Sequence, residues 1–248
     1  MGATVTQHCQ VIGCTPWTER KTILTLVSKE RCVFSALFTE KKADLDKPLR
    51  AKQLKHQGKE IRPGLFQELR AQISFHPEGH HKLRDFEVHQ TGPNAITSKT
   101  YSGLCLLSRI LQKTHGEHLG DPQPYTLWNK HQKGSFDSQH WLCVLADLNW
   151  CWGTWVNLNH CEVCGQRTIH FHIQNGQLAC QHCAPKSPKL LDSQRQWLGA
   201  YLHSATQLAV NLKDVKLLAR FFWQRLPDHL HSDALFRRLT NLHFKTLH

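Results

Sequence analysis

Two Cys-x-x-Cys pairs, Cys161 with Cys164 and Cys180 with Cys183, stand fifteen residues apart. Two residues between cysteines let a tight turn aim both sulfurs at one point. Two such turns supply the four thiolates of a tetrahedral metal site, and the spacing falls within the range of zinc sites. The intervening stretch supports a return of the chain. Ile169, Phe171 and Ile173 alternate with His170, His172 and Gln174, the period of a strand. Asn175-Gly176 is a tight-turn signal that folds the second pair back beside the first.

Four cysteines close a coordination shell, whereas a catalytic zinc keeps one position open for water. The pattern therefore predicts one structural Zn(2+) held by Cys161, Cys164, Cys180 and Cys183, acting as a brace and not as an active site. His160, His170, His172 and His182 are alternative ligands nearby, expected to face solvent or to support the ligands. A redox dithiol would need only one of the two pairs. A zinc deaminase reading rests on His115-Gly116-Glu117 ahead of Cys161 and Cys164, but His160 stands where that signature has proline, and the second pair would have no role. No nucleophile with its base is evident, and the chain is not expected to be an enzyme.

The remaining cysteines, Cys9, Cys14, Cys32, Cys105, Cys143 and Cys151, read as free thiols. Five lie beside apolar residues, as buried thiols do, and Cys9 has the more polar surroundings. Nothing points to the oxidising compartment that a disulfide framework needs. The first ten residues carry no long apolar run, and Met1-Gly2 with Thr6 matches the myristoylation pattern only loosely. No stretch approaches the roughly 18 apolar residues of a membrane span. A cytoplasmic protein with no membrane partner is expected.

The formal charge of +12 over 248 residues favours a polyanionic partner, above all nucleic acid. The cations are concentrated in residues 41–62, where eight Lys and Arg face three acids. On either side the chain reads as strands: Val5 to Ile12, Thr22 to Val27, Cys32 to Phe38, the alternating run from Leu65 to Phe75, and a short one starting at Phe86 and Val88. Five strands in under ninety residues suggest a small barrel, with the OB-fold as its natural form. Lys41, Lys42, Arg50, Lys52 and Lys55 are then the expected DNA-binding residues, contacting phosphates without reading bases. A solvated charge run is the alternative. Trp17, Phe34, Phe38 and Phe66 are aromatic candidates for stacking on bases, most of them better suited to the core.

From residue 98 the period becomes helical. Tyr101, Leu104, Cys105, Ser108 and Leu111 form one stripe, and Trp141, Leu145, Leu148 and Trp152 a second. Trp197, Leu198, Tyr201, Leu202, Ala205, Leu208 and Ala209 form a third, and Val215, Leu218, Phe221, Phe222 and Leu226 a fourth, ended by Pro227. Ser232 or Asp233 is positioned to cap a last helix through Arg238. The fold class expected is α+β: an N-terminal OB-fold barrel over 1–88, followed by an all-α domain over 89–248 carrying a four-Cys zinc hairpin at 161–183.

This layout resembles the RecO family of bacterial DNA repair and recombination mediators. Pro16-Trp17-Thr18-Glu19 followed by Thr22-Ile23-Leu24 is similar to the family's first turn and second strand, and Tyr101-Ser102-Gly103-Leu104 to the start of its first helix. The run from Trp152 to Cys161 is similar to its glycine turn leading to the first cysteine, and Leu230 to Phe236 to its closing helix. The chain departs from the pattern at Glu30-Arg31-Cys32, where the family often has glycine, at Thr39-Glu40, and at Asp233. The resemblance implies binding of single- and double-stranded DNA, annealing of complementary strands, work with RecR, and indirect action on RecA loading in the nucleoid. It also implies capture of the C-terminal tail of single-strand-binding protein. Such a tail needs an apolar pocket rimmed by cations. Lys213, Lys216, Arg220 and Arg225 offer charge, and Trp223 is out of step with the buried stripe, so Arg220 and Trp223 are the expected partner-binding pair; the alternative for Trp223 is packing against the zinc hairpin. A zinc-ribbon regulator reading duplex sequence is the alternative.

Overall fold

The β-branched and aromatic residues of the first ninety positions build five strands, which the computed structural model describes together with most of the helical part. Residues 3–40, 63–77, 81–90, 97–114, 123–202, 211–226 and 234 are described. The basic run 41–62, with Lys41, Lys42, Arg50, Lys52 and Lys55, lies outside them. So do His115-Gly116-Glu117, residues 203–210 of the third stripe, and Ser232 with Asp233.

The strands are β1 (Thr4–Thr18), β2 (Lys21–Ser28), β3 (Cys32–Thr39), β4 (Glu68–Ser74) and β5 (His81–Gln90). They close into a barrel in the order β1-β2-β3-β5-β4. Neighbours are antiparallel except β3 and β5, which meet in parallel at Ala36 with His81 and Leu37 with Lys82. Closure leaves no open sheet edge. The expected alternation holds in β4: Leu69, Ala71 and Ile73 have no exposure, while Arg70 and Gln72 face solvent. Leu24, Leu26, Phe34 and Ala36 complete the same core.

Two strands run further than their sequence pattern suggests. β5 starts at His81, not near Phe86, because the register jumps from Ile73 opposite Leu83 to Gln72 opposite Asp85. The extra residue shifts the alternation, so Leu83 and Phe86 both turn inward although they are three apart. β1 continues to Thr18 as a mostly exposed ribbon paired with β2.

By packing, the first compact unit runs to Gln132 and the second starts at Lys133. The first thus takes in α1 (Ser98–Thr114) and α2 (Gln123–His131), which the change of period alone assigns to the helical part. Polar side chains explain this. The bulge between Val11 and Gly13 frees the Ile12 carbonyl, which accepts the Ser108 hydroxyl of α1. The Gln10 side chain accepts the Trp128 indole N–H of α2 and donates to Gln132 at 2.6 Å. Phe66 stacks with Trp128 and meets Tyr101 edge-on, each at 5.8 Å between ring centres.

The second unit contains α3 (Ser138–Cys151), the strands β6 (His172–Gln174) and β7 (Gln177–Ala179), α4 (Asp192–Leu202) and α5 (Leu212–Arg225). Asp137 caps α3 by accepting from His140 N at 2.8 Å, and Asn211 caps α5 by accepting from Asp214 N. α3 packs on α5. Fully buried Asn149 fixes that pairing, with its amide donating to Leu145 O and Phe222 O and its Oδ1 accepting from Thr154. Asp214, 4% exposed, accepts from Gln194 Nε2 at 2.6 Å and so ties α5 to α4. Among the described residues, no helix is long and apolar enough to cross a membrane.

Candidate metal centre

The excursion between α3 and α4 is built from two turns of the same design. In the first, Gly165 N donates to Cys161 O at 2.9 Å. In the second, Ala184 N donates to Cys180 O at 3.0 Å. Each turn therefore closes four residues after its first cysteine and aims both of its sulfurs inward. Between them Asn175 and Gly176 both take left-handed φ, 48° and 76°, the conformation of a two-residue hairpin turn. Gln174 faces Gln177 across it. The second turn is thereby returned beside the first.

The sulfurs of Cys161, Cys164, Cys180 and Cys183 all lie within 4.8 Å of one another. Cys164 and Cys180 are 3.8 Å apart at sulfur. Four thiolates about 2.3 Å from a common centre stand about 3.8 Å apart on a tetrahedron, so this spacing fits a metal and is far from a disulfide. All ten cysteines are free. Cys161 and Cys180 are buried, Cys183 half-buried and Cys164 exposed.

Burial opposes ionisation of Cys161, but backbone N–H groups of Cys164, Cys180 and Val163 directed at its sulfur outweigh it and bring its pKa down to about 6. One of them, Cys180 N, is 3.2 Å away. Cys183 moves the other way, up to about 12, through its hydrogen bond with Cys164, desolvation and the neighbouring sulfurs. Four ionised sulfurs at this spacing would repel one another, and a central cation removes that repulsion.

The histidines stay out of the cluster. His160, His170 and His182 are exposed, as expected. His172 is not: it is 8% exposed and its Nδ1 donates to Ser187 O at 2.7 Å. Ile169, expected on the buried face, is 61% exposed. The regular strand covers only His172–Gln174, and segment 188–190 lies alongside β6, with Ile173 N donating to Pro188 O and Leu190 N to Phe171 O. That third segment covers His172.

What sequence reading missed is the fastening of this cluster to α5. Glu162, inside the first Cys-x-x-Cys, forms a two-pronged ion pair with Arg225: Nη1 to Oε2 at 2.7 Å and Nη2 to Oε1 at 2.9 Å. Arg225 also donates Nε to Thr154 O, Nη1 to Gly176 O and Nη2 to Trp155 O. All five of its N–H donors are used. Glu162 in turn accepts from Leu178 N at 2.6 Å, and its own N donates to Leu178 O. The two side chains are only 11% and 16% exposed. Arg225 is therefore a structural clamp and does not supply charge to a partner-binding rim.

The same packing corrects the expectation for Trp223. Phe221, Phe222 and Trp223 are all buried, Trp223 to 5% exposure. A helix packed on one side only would leave one of three consecutive residues out. Here α3 covers one side and the hairpin another, with the Gly176 backbone pressed against Gln224. Arg220 is exposed. Around Trp155 the rings of Trp197, Tyr201 and Phe222 stack, and Tyr201 donates its hydroxyl to Asp147 at 2.7 Å. A cavity of about 400 Å³ opens along α4, lined by Leu158, Asp192, Arg195, Gln196 and Gly199.

Of the other cysteines, Cys32 is buried as expected, whereas Cys9 and Cys14 differ from expectation. Cys9 points into the barrel at 1% exposure, because it shares the inward face of β1 with Gln7 and Val11. Burial, followed by Glu30 and Glu68, pushes its thiol up to about 12. Cys14 is exposed, on the ribbon end of β1.

No family model matches the sequence. No curated protein matches it either.

Proposed function

We propose that this chain is a non-catalytic DNA-binding protein of the RecO type, one that binds single- and double-stranded DNA, anneals complementary strands and acts in repair and recombination with RecR and, indirectly, RecA. One observation carries the reading: a single basic chain joins a closed five-stranded barrel to a helical unit with four converging cysteine sulfurs. The order β1-β2-β3-β5-β4 with its parallel β3–β5 contact supports an OB-fold. Within Glu30-Arg31-Cys32, the turn where the family often has glycine, Cys32 takes a left-handed φ of 61°, the conformation glycine adopts most easily.

In this reading Cys161, Cys164, Cys180 and Cys183 hold one structural Zn(2+). Its chemistry is that of a fixed cross-link between the two turns. The sulfur geometry and the N–H groups directed at Cys161 favour it. Lys41, Lys42, Arg50, Lys52 and Lys55 carry phosphate contacts. For the acidic tail of single-strand-binding protein, exposed Arg220 retains its proposed role, whereas buried Trp223 is set aside.

The test is annealing of complementary oligonucleotides coated with single-strand-binding protein. Acceleration without a nucleotide cofactor, and with little preference among sequences, is the expected result. A chain that leaves annealing unchanged, or binds one duplex sequence far more tightly than random duplex, contradicts the proposal.

A further inference from the structure

Of the four aromatic residues suited by type to stack on bases, three are packed inside the first unit: Phe34 and Phe66 are 2% and 3% exposed, and Phe38 packs against the barrel core. Trp17 is 51% exposed. Its position has a local cause. Between β1 and β2 the register runs from Pro16 opposite Thr22 to Thr18 opposite Lys21, so Trp17 is the extra residue of a bulge. Bulges re-aim side chains, and this one sits at the end of a ribbon. Lys21 Nζ lies 5.9 Å from the indole centre, and exposed Arg20 occupies the adjoining turn. Glu40 N donates to Arg20 O at 2.9 Å, so the chain leaves β3 beside this tip immediately before its basic run begins at Lys41.

We infer that Trp17, with Lys21 and Arg20, is a platform for an unpaired nucleobase and its flanking phosphate. The chemistry is complementary on both counts. An indole stacks on any base, whatever its identity, and Lys21, whose ammonium lies over the ring, with Arg20 in the adjoining turn, suits the phosphates that flank such a base. A paired base is already stacked within its helix and offers no free face, so the platform favours single strands. This rests on the proposed DNA binding and adds to it a residue that separates single-stranded from duplex recognition.

The experiment compares three labelled probes of equal length by fluorescence anisotropy: oligothymidylate, an abasic strand with the same phosphates, and a duplex. Wild type is set against Trp17→Ala and Trp17→Phe. Trp17→Ala is expected to weaken oligothymidylate binding by roughly 5- to 100-fold, the range measured for loss of one stacked base. Its affinities for the abasic strand and the duplex stay at the wild-type value, and Trp17→Phe retains most of the oligothymidylate affinity. Equal weakening on all three probes, or an unchanged oligothymidylate affinity, overturns the platform while leaving DNA binding in place. A wild-type chain that binds none of the probes overturns DNA binding itself, and the platform with it.

Discussion

In the barrel, Leu24, Leu26, Leu69, Ala71 and Ile73 have no exposure, on strands of seven to fifteen residues that close on themselves. In the cysteine-bearing excursion, β6 and β7 have three residues each; cysteines and alanines are buried around the sulfurs, and Phe171, Ile173, Leu178 and Leu190 add a small apolar core. A hairpin that short does not hold itself together in water. The first region can rely on apolar burial. The second adds directed bonds to a small core: four sulfurs around one point, and one arginine whose five donors reach residues 154, 155, 162 and 176. Burial tolerates graded change, because each lost methylene costs a little. A directed network fails sharply, because each lost partner strands a buried polar group.

The largest break in this comparison is at the sulfurs. Cys180→Ser is expected to abolish stoichiometric metal binding and to unfold the excursion, since structural zinc contributes on the order of 10 kcal/mol in small peptides. Calorimetry with metal analysis should show the second unit's transition lost or displaced far downward and the barrel's transition kept. The next break is at the clamp. Arg225→Met leaves the largely buried Glu162 carboxylate with only Leu178 N, among the described residues, to accept from and should cost about 3 kcal/mol by urea unfolding, while the cysteines still bind metal. Ile73→Ala in the barrel should cost a comparable 2–5 kcal/mol yet leave metal affinity unchanged. The smallest effect is at the turn. Gly176→Ala meets a left-handed φ and places a Cβ 2.9 Å from Gln224 Cβ, so a loss of about 1–2 kcal/mol in the same assay is expected.

Legibility in the sequence divides along the same line. Period-2 alternation revealed β4, and Asn175-Gly176 with the cysteine spacing revealed the hairpin and the convergent sulfurs, because each is a local rule expressed within a few residues. The bulges were not legible: in β5 one extra residue puts Leu83 and Phe86 on the same side and disguises the strand's start. Nor was the clamp, since Glu162 and Arg225 are 63 residues apart and neither carries a motif. Arg225 belongs to a basic helix and reads as one more surface cation. The reading of Trp223 as a rim residue fails for a related reason. Helical periodicity describes one buried face, and α5 is covered on more than one. Membership of α1 and α2 in the first unit depends on Ser108 and Trp128, whose bonds to Ile12 and Gln10 have no signature in hydrophobic pattern.

The proposed role of the cysteine cluster as a metal-held brace for the excursion and α5 is tested most directly by one measurement. Backbone hydrogen exchange is followed before and after removal of bound metal by a chelator. The amides of Ile173 and Leu178, and those of α5 near Phe222, are expected to lose protection together, while Leu26, Leu69 and Ile73 in the barrel keep theirs. Unchanged protection of the hairpin after chelation, or equal loss in the barrel, would contradict it.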